Sequence, residues 1–273
     1  MQELKELLTS TSQYGVMHQI QVMLMHGSVF ELLSKVPEKM NSSQNANISP
    51  IIFNMSIEWY VQSQLIAVRR QLDSDSRSSS LRRVQELFNL LAPLLTRREF
   101  MRLHGFVDTM EEIKRKHTEF TRRTAGGGPQ LVPSDASIRR ATEVNENFDM
   151  AVGTEKGNRR DDDVISPQFL SGIESKFREL HRVKSHASKI LAHADIKSAG
   201  SKIRAEELRV TYGELRSAIV TLLRLAKFFC SFLFDLGYRL PPIVPADLEV
   251  ELFEKMLGKE HAAFFESAWN EYW

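Results

Sequence analysis

The stretch from Thr211 to Gly237 constrains the fold more than any other. Leu215, Ile219, Leu222, Leu223, Ala226, Phe229, Cys230 and Leu233 recur at the spacing of one helical face, not of a strand. Thr211-Tyr212-Gly213-Glu214 has the arrangement of a capping box, in which threonine and glutamate side chains satisfy amides of the first turn. Gly237 is placed to end the helix. A helix this apolar needs either a bilayer or other helices around it. Arg224, Lys227 and Asp235 interrupt the apolar run, which predicts a core helix and no membrane span. The opening MQELKELL carries charges where a signal peptide needs apolar residues, so none is expected.

The rest of the chain reads as helices of the same kind. Val16, Ile20, Met23, Leu24, Gly27 and Phe30 form a first amphipathic stripe, with Pro37 and the polar run NSSQNAN predicted to close it. Met17, Met23 and Met25 in that stretch suit adaptable core or an interface better than a ligand site. Pro50 opens a second helix through Leu72, which the run DSDSRSSS ends. Ser80 is a predicted N-cap for a third, whose inner face is Leu81, Val84, Phe88 and Leu91. Pro93 ends or kinks that helix, and Thr96 to Glu99 reads as the capping box of a fourth running toward Arg123. Ser166-Pro167 starts a fifth, which carries Phe169, Ile173, Phe177 and Leu180 into a histidine-rich end.

The architecture this predicts is all-α: an up-and-down helical bundle formed by residues 1–124 and 167–240. Between them, GGGP, VPSD and GTEKGNRRDDD mark 125–166 as a long mobile insertion, with a short amphipathic piece near Ile138 to Phe148. LPPIVP sets off 241–273 as a short helical extension. No strand pattern and no internal repeat competes.

With only one cysteine, Cys230, the chain can form no internal disulfide and no multi-cysteine zinc site, which fits a reducing cytosol. The net charge of +1 conceals an asymmetry. Residues 69–123 hold 13 Lys/Arg against 8 Asp/Glu, and 241–273 hold 2 against 7. A basic middle can meet an anionic partner such as RNA, and it can equally be a solvated face. Arg69 and Arg70, with Asp73 beside them, end the second helix and are candidates to line a cleft or to form a surface ion pair.

The densest cluster of chemistry-bearing side chains is HASKILAHAD, residues 186–195. By itself it reads as a helix whose last turn gains from an imidazole at its negative end. Its spelling resembles the signature of the HEPN family, in which an arginine and a histidine lie four to six residues apart near a helix end. It is most similar to the abortive-infection U branch, spelled Arg-Asn/Asp-Lys-x-x-Ala-His-x-Asp. Lys189, Ala192, His193 and Asp195 match in register, and the arginine position falls on Ala187. The segment IIFNMSIEWYVQSQLIAVRRQLDSDSRSSSLRRVQELF also resembles that branch, with its helix ending in an acid, a polar loop and a Ser-Leu helix start. Arg98 to His104 satisfies the loose arginine-histidine spacing as well, without the Ala-His-x-Asp ending.

The resemblance implies a metal-independent endoribonuclease of a phage-defence or toxin type. It would act as a homodimer in the bacterial cytoplasm, without cofactor or metal, on RNA and under a cognate antitoxin or a phage-protein trigger. RNA can be cut through its own 2′-hydroxyl if one group moves a proton and a cation stabilises the phosphoryl oxygens. His193, with an ordinary pKa near ~6.5, suits the first task. Arginine, whose planar fork grips phosphate twice, suits the second. Ala187 can do neither, and loss of such a group typically lowers rate by about a hundred- to a thousandfold. Three explanations stay open: an inactivated nuclease, a pseudoenzyme, or another cation in the arginine's place. Arg182 and His186 are the nearest, with Lys189 a further RNA contact and Asp195 in support of His193. The alternative is a non-catalytic HEPN-like module that binds RNA or a protein partner.

Overall fold

A computed structural model describes residues 1–10, 15–40, 50–106, 115, 118, 119, 122, 135–193 and 210–235, with side chains outside 31–53, 135–137 and 189–193. Helices dominate the described residues, whose only strand-like feature is an isolated antiparallel bridge between Thr96 and Val164. The helices are α1 (Gln2–Thr9), α2 (Val16–Met40), α3 (Pro50–Gln71), α4 (Leu81–Leu91), α5 (Arg97–Leu103), α6 (Asp135–Val152), α7 (Pro167–Glu179), α8 (His181–His193) and α9 (Tyr212–Phe234). The protein is therefore all-α, as its periodicity predicts.

The central element is α9. Its capping box is complete: Thr211 Oγ1 accepts from the Glu214 amide (3.2 Å), and the Glu214 carboxylate accepts from the Thr211 amide (2.8 Å). The helix is long and apolar enough to cross a membrane, but it packs against α1, α2, α3, α4, α5 and α8, which marks it as a core helix. Ala218, Leu225 and Phe232 are buried in addition to the predicted face, of which Leu223 is only half-buried, because neighbours approach from several sides. Phe232 meets Phe88 of α4 (centroids 6.0 Å apart), Phe100 of α5 (4.8 Å) and Phe169 of α7 (5.8 Å). The helix ends at Asp235 in the left-handed conformation (φ 51°), two residues before the predicted Gly237.

Several other boundaries depart from the sequence reading. The helix α1 was not predicted; it is only two turns long and is held by Leu4 and Leu8, both buried. The backbone of α2 continues through Pro37 to Met40. On α5, Thr96 accepts from the Glu99 amide (3.3 Å), but the Glu99 carboxylate pairs with Arg102 instead of closing the box. That helix stops at Leu103, where Gly105 turns the chain at φ 84°, and does not run on toward Arg123. The predicted fifth helix is two, α7 and α8, broken at Leu180 (φ −83°, ψ −6°). The C-terminal extension lies outside the described residues.

The largest correction concerns 125–166, where residues 138–166 pack onto the core through one buried helical face and a clamped loop. Helix α6 buries Ala141, Val144, Phe148 and Ala151. The following loop is clamped by Arg97, whose side chain is 4% exposed. Arg97 donates to Asp163 (2.8 Å), to Asp149 (2.8 Å) and to Asn145, while Arg159 grips Asp149 from the other side. Main-chain bonds from the Arg97 amide to the Asp163 carbonyl (2.9 Å) and from the Ser166 amide to the Ala151 carbonyl (2.9 Å) complete the seam. A charge that read as part of a solvated loop, Asp163, is here the partner of one buried cation.

Polar groups also fix how α2, α3 and α4 meet. Gln71 is buried; its Nε2 donates to Gln19 Oε1 (2.7 Å) and its Oε1 accepts from the Leu81 amide (3.1 Å). Ser80 caps α4 as predicted, accepting from the Arg83 amide (3.1 Å), and donates to the Asp73 carbonyl (2.6 Å). His104 is buried against α9, its Nε2 facing the Phe232 carbonyl at 2.9 Å. A carbonyl only accepts, so Nε2 carries the proton, and buried Nδ1 has no partner. Burial holds this imidazole below its ordinary value of 6.5, and the Phe232 carbonyl only partly offsets that.

Two outcomes follow. Arg97→Ala leaves the half-buried Asp163 without its cation and Asp149 with Arg159 alone, and should cost about 3–5 kcal/mol, read by urea unfolding; a loss within the ordinary surface range would show the network to be solvent-screened. His104 takes up a proton more readily unfolded than folded, so stability is full above about 6.5 and falls as pH drops below it. Thermal melts from pH 7.5 to 5.5 should show that decline, and His104→Gln should flatten it.

Candidate functional site

The motif helix α8 lies mainly on α3 and also touches α7 and α9. Its buried side is set by Leu180, Val183 and Ala187, at three- and four-residue spacing, with Ala187 only 1% exposed. The position where the resemblance implies an arginine is thus a core position. A methyl group fits it. A guanidinium there would be buried among apolar groups and would have to displace the packing.

Positions 182, 186, 189 and 193 fall on a different side. Spaced by four, three and four residues, they share one face of a regular helix. Arg182 on that face is mostly exposed and pairs with Glu214 at the start of α9 (2.7 Å). Hydrogen bonds from the Thr211 backbone, then from its hydroxyl, hold the Glu214 carboxyl below the usual range, with Arg182 and His186 adding to the effect. The arrangement gathers Arg182 and His186 around one carboxylate beside the histidine face. His193 closes α8, and its side chain, that of Lys189 and all of Asp195 lie outside what the structure describes.

A third side of α8 faces the end of α3. There a cleft of about 310 Å³ is lined by Ile66, Arg69, Arg70, Asp73, Lys184 and Ser188. The α3 end and α8 bring together the predicted Arg69 and Arg70 with two residues the sequence reading missed, Lys184 and Ser188. Lys184 Nζ donates to the Leu72 carbonyl at the end of α3 (2.8 Å), placing a cation on the negative end of that helix. Arg69 and Arg70 are exposed, and their side chains make no ion pair among the described residues. Asp73 instead accepts from the Asp75 amide (3.1 Å), forming the turn that leads to α4.

Leu72 and Lys184 also line a second hollow, of about 200 Å³, with Arg82, Glu174, Arg178 and His181. Glu174 there is tightly held by Arg82 (2.7 Å) and Gln85 (2.7 Å). Burial raises its carboxyl pKa, but the hydrogen bonds from Gln85 and Arg82 and nearby charge outweigh that and leave it lowered. Arg82 and Arg178 are thus paired with Glu174, whereas Arg69 and Arg70 of the first cleft have no carboxylate partner among the described residues.

The rival pair does not form a site. Arg98 points outward to Asp161 (2.8 Å), while His104 is in the core against Phe232. Cys230 is buried, and burial pushes its thiol up to about 12, so it is inert, as its place in an apolar stripe predicts. No group of three or more His, Cys, Asp or Glu side chains able to hold a metal ion occurs among the described residues.

Comparison with family models, with curated proteins and with solved structures returns no match.

The burial of Ala187 makes a direct test of packing possible. Ala187→Leu should lower stability by about 1–3 kcal/mol through overpacking, measured by chemical unfolding; an unchanged midpoint would place position 187 at a surface.

Proposed function

We propose that this chain is a HEPN-type, RNA-engaging protein of the abortive-infection kind. It has the frame of a metal-independent endoribonuclease but lacks the arginine that cleavage needs, so it holds RNA and does not cut it. The observation that carries the reading is the division of α8: Ala187 faces the core at 1% exposure, while cations occupy two solvent-facing sides of the same helix. A substrate meeting α8 encounters Arg182, His186 and Lys184, and meets residue 187 from neither side. The resemblance adds a homodimer in the bacterial cytoplasm and, as partners, a cognate antitoxin or a phage-protein trigger.

A second reading, active cleavage, draws on the face shared by positions 182, 186, 189 and 193. If His193 moves the proton, Arg182 or His186 would have to stabilise the phosphate, at the expense of the Glu214 pair.

The test incubates the chain, Ala187→Arg and His193→Ala with total RNA in EDTA and follows binding and fragment formation in parallel. The proposal expects salt-dependent binding by the chain and no defined fragments from any form, with Ala187→Arg less stable than the parent. Fragments from the unaltered chain that vanish in His193→Ala would establish the second reading. Fragments from Ala187→Arg alone would restore 187 as a catalytic position. Absence of salt-dependent binding by a folded chain would remove RNA from the account.

A further inference from the structure

We infer that the outer face of α3 and the cleft at its end form a track for single-stranded RNA. In this track Arg69 and Arg70 grip a backbone phosphate at the cleft and Trp59 offers a ring on which a base stacks. The inference rests on the RNA reading above and assigns it to residues outside the motif.

Trp59, Ile66 and Arg70 are seven and four residues apart and so share one face of α3. That face is open: Trp59 is 64% exposed and Ile66 48%. At about 1.5 Å per residue, Trp59 and Arg70 lie roughly 16 Å apart along the helix, a span of a few nucleotides. A bare tryptophan costs a soluble surface, yet every base has a face that can cover it. Aromatic platforms beside cationic grooves are how single strands are held without sequence preference.

The charge pattern points the same way. Of the eight arginines between residues 69 and 106, Arg77, Arg82, Arg83, Arg97, Arg98 and Arg102 each have a carboxylate partner. Arg69 and Arg70 have none among the described residues, so their guanidiniums keep their full donor sets for a ligand. The cleft lining sets three cations against the single carboxylate of Asp73, which is engaged with the Asp75 amide. The end of a helix ordinarily repels a phosphate, because its free carbonyls carry partial negative charge. Lys184 sits on the Leu72 carbonyl and cancels that repulsion where the phosphate would come to rest. Ser188 adds a hydroxyl donor to the lining.

The experiment measures binding of a fluorescent oligouridylate, which presents phosphates and unpaired bases, by anisotropy over a salt series. The full chain is compared with Arg69→Ala/Arg70→Ala, with Trp59→Ala, and with Arg98→Ala/Arg102→Ala as an equal charge loss elsewhere. All of the substituted side chains are exposed, and melting curves verify that each variant is folded. The inference expects the Arg69/Arg70 variant to weaken binding on the order of tenfold to a hundredfold and to reduce the salt slope by about 0.7 per lost phosphate contact. Trp59→Ala should weaken binding with the slope unchanged, and Arg98→Ala/Arg102→Ala should bind like the parent. An Arg69→Lys/Arg70→Lys form should fall between, keeping charge but losing the fork. Equal losses from both double variants, or none from Arg69/Arg70, would overturn the track while leaving RNA binding in place. A parent chain that binds no oligouridylate at any salt would overturn the track and the RNA reading together.

Discussion

Phe232 touches aromatic rings of α4, α5 and α7 from within α9, and its own carbonyl accepts from His104 at the end of α5. Each such ring pair adds about 0.5–1.5 kcal/mol to the gain from burial. One turn of one helix thereby sets where three others can lie. The site inherits its geometry from this arrangement. α8 packs on α3, both pack on α9, and the cleft between α3 and α8 keeps its width only while α9 fills the space beneath them.

Arg97 plays the complementary part at the other end. A buried guanidinium is unfavourable unless every donor is met, and here Asp149, Asp163 and Asn145 meet them. The result is a loop, 153–166, that holds its place with no more regular structure than one 3-10 turn and a single bridge, and delivers Ser166 to cap α7. α7 in turn delivers Leu180, the pivot from which α8 starts. The orientation of the motif helix thus depends on a network far from it in sequence.

How far the sequence disclosed this depends on the range of each interaction. The caps of α4, α7 and α9 were legible because donor and acceptor lie within three residues of each other. The start of α3 was legible from Pro50. The packing of 138–166 was not, since the partner of Asp163 is 66 residues away and its charges looked solvated. Nor was the break at Leu180, which has neither proline nor glycine and a backbone that any residue can adopt. At the site, Arg69 and Arg70 stood out as a basic pair at a helix end. Lys184 did not, because its contact with Leu72 spans 112 residues. The buried side of α8 could have been read: Leu180, Val183 and Ala187 have the same spacing that identified the core face of α9.

The single thiol of the chain sits within that core face. Cys230 is fully enclosed in the middle of the contacts that hold α9, with its ionisation suppressed to about 12. A thiol-directed reagent can reach it only when the bundle parts around α9. The protein therefore carries a built-in clock for its own breathing: the pace of alkylation at neutral pH counts openings of the central helix, while fraying of the outer helices goes unrecorded.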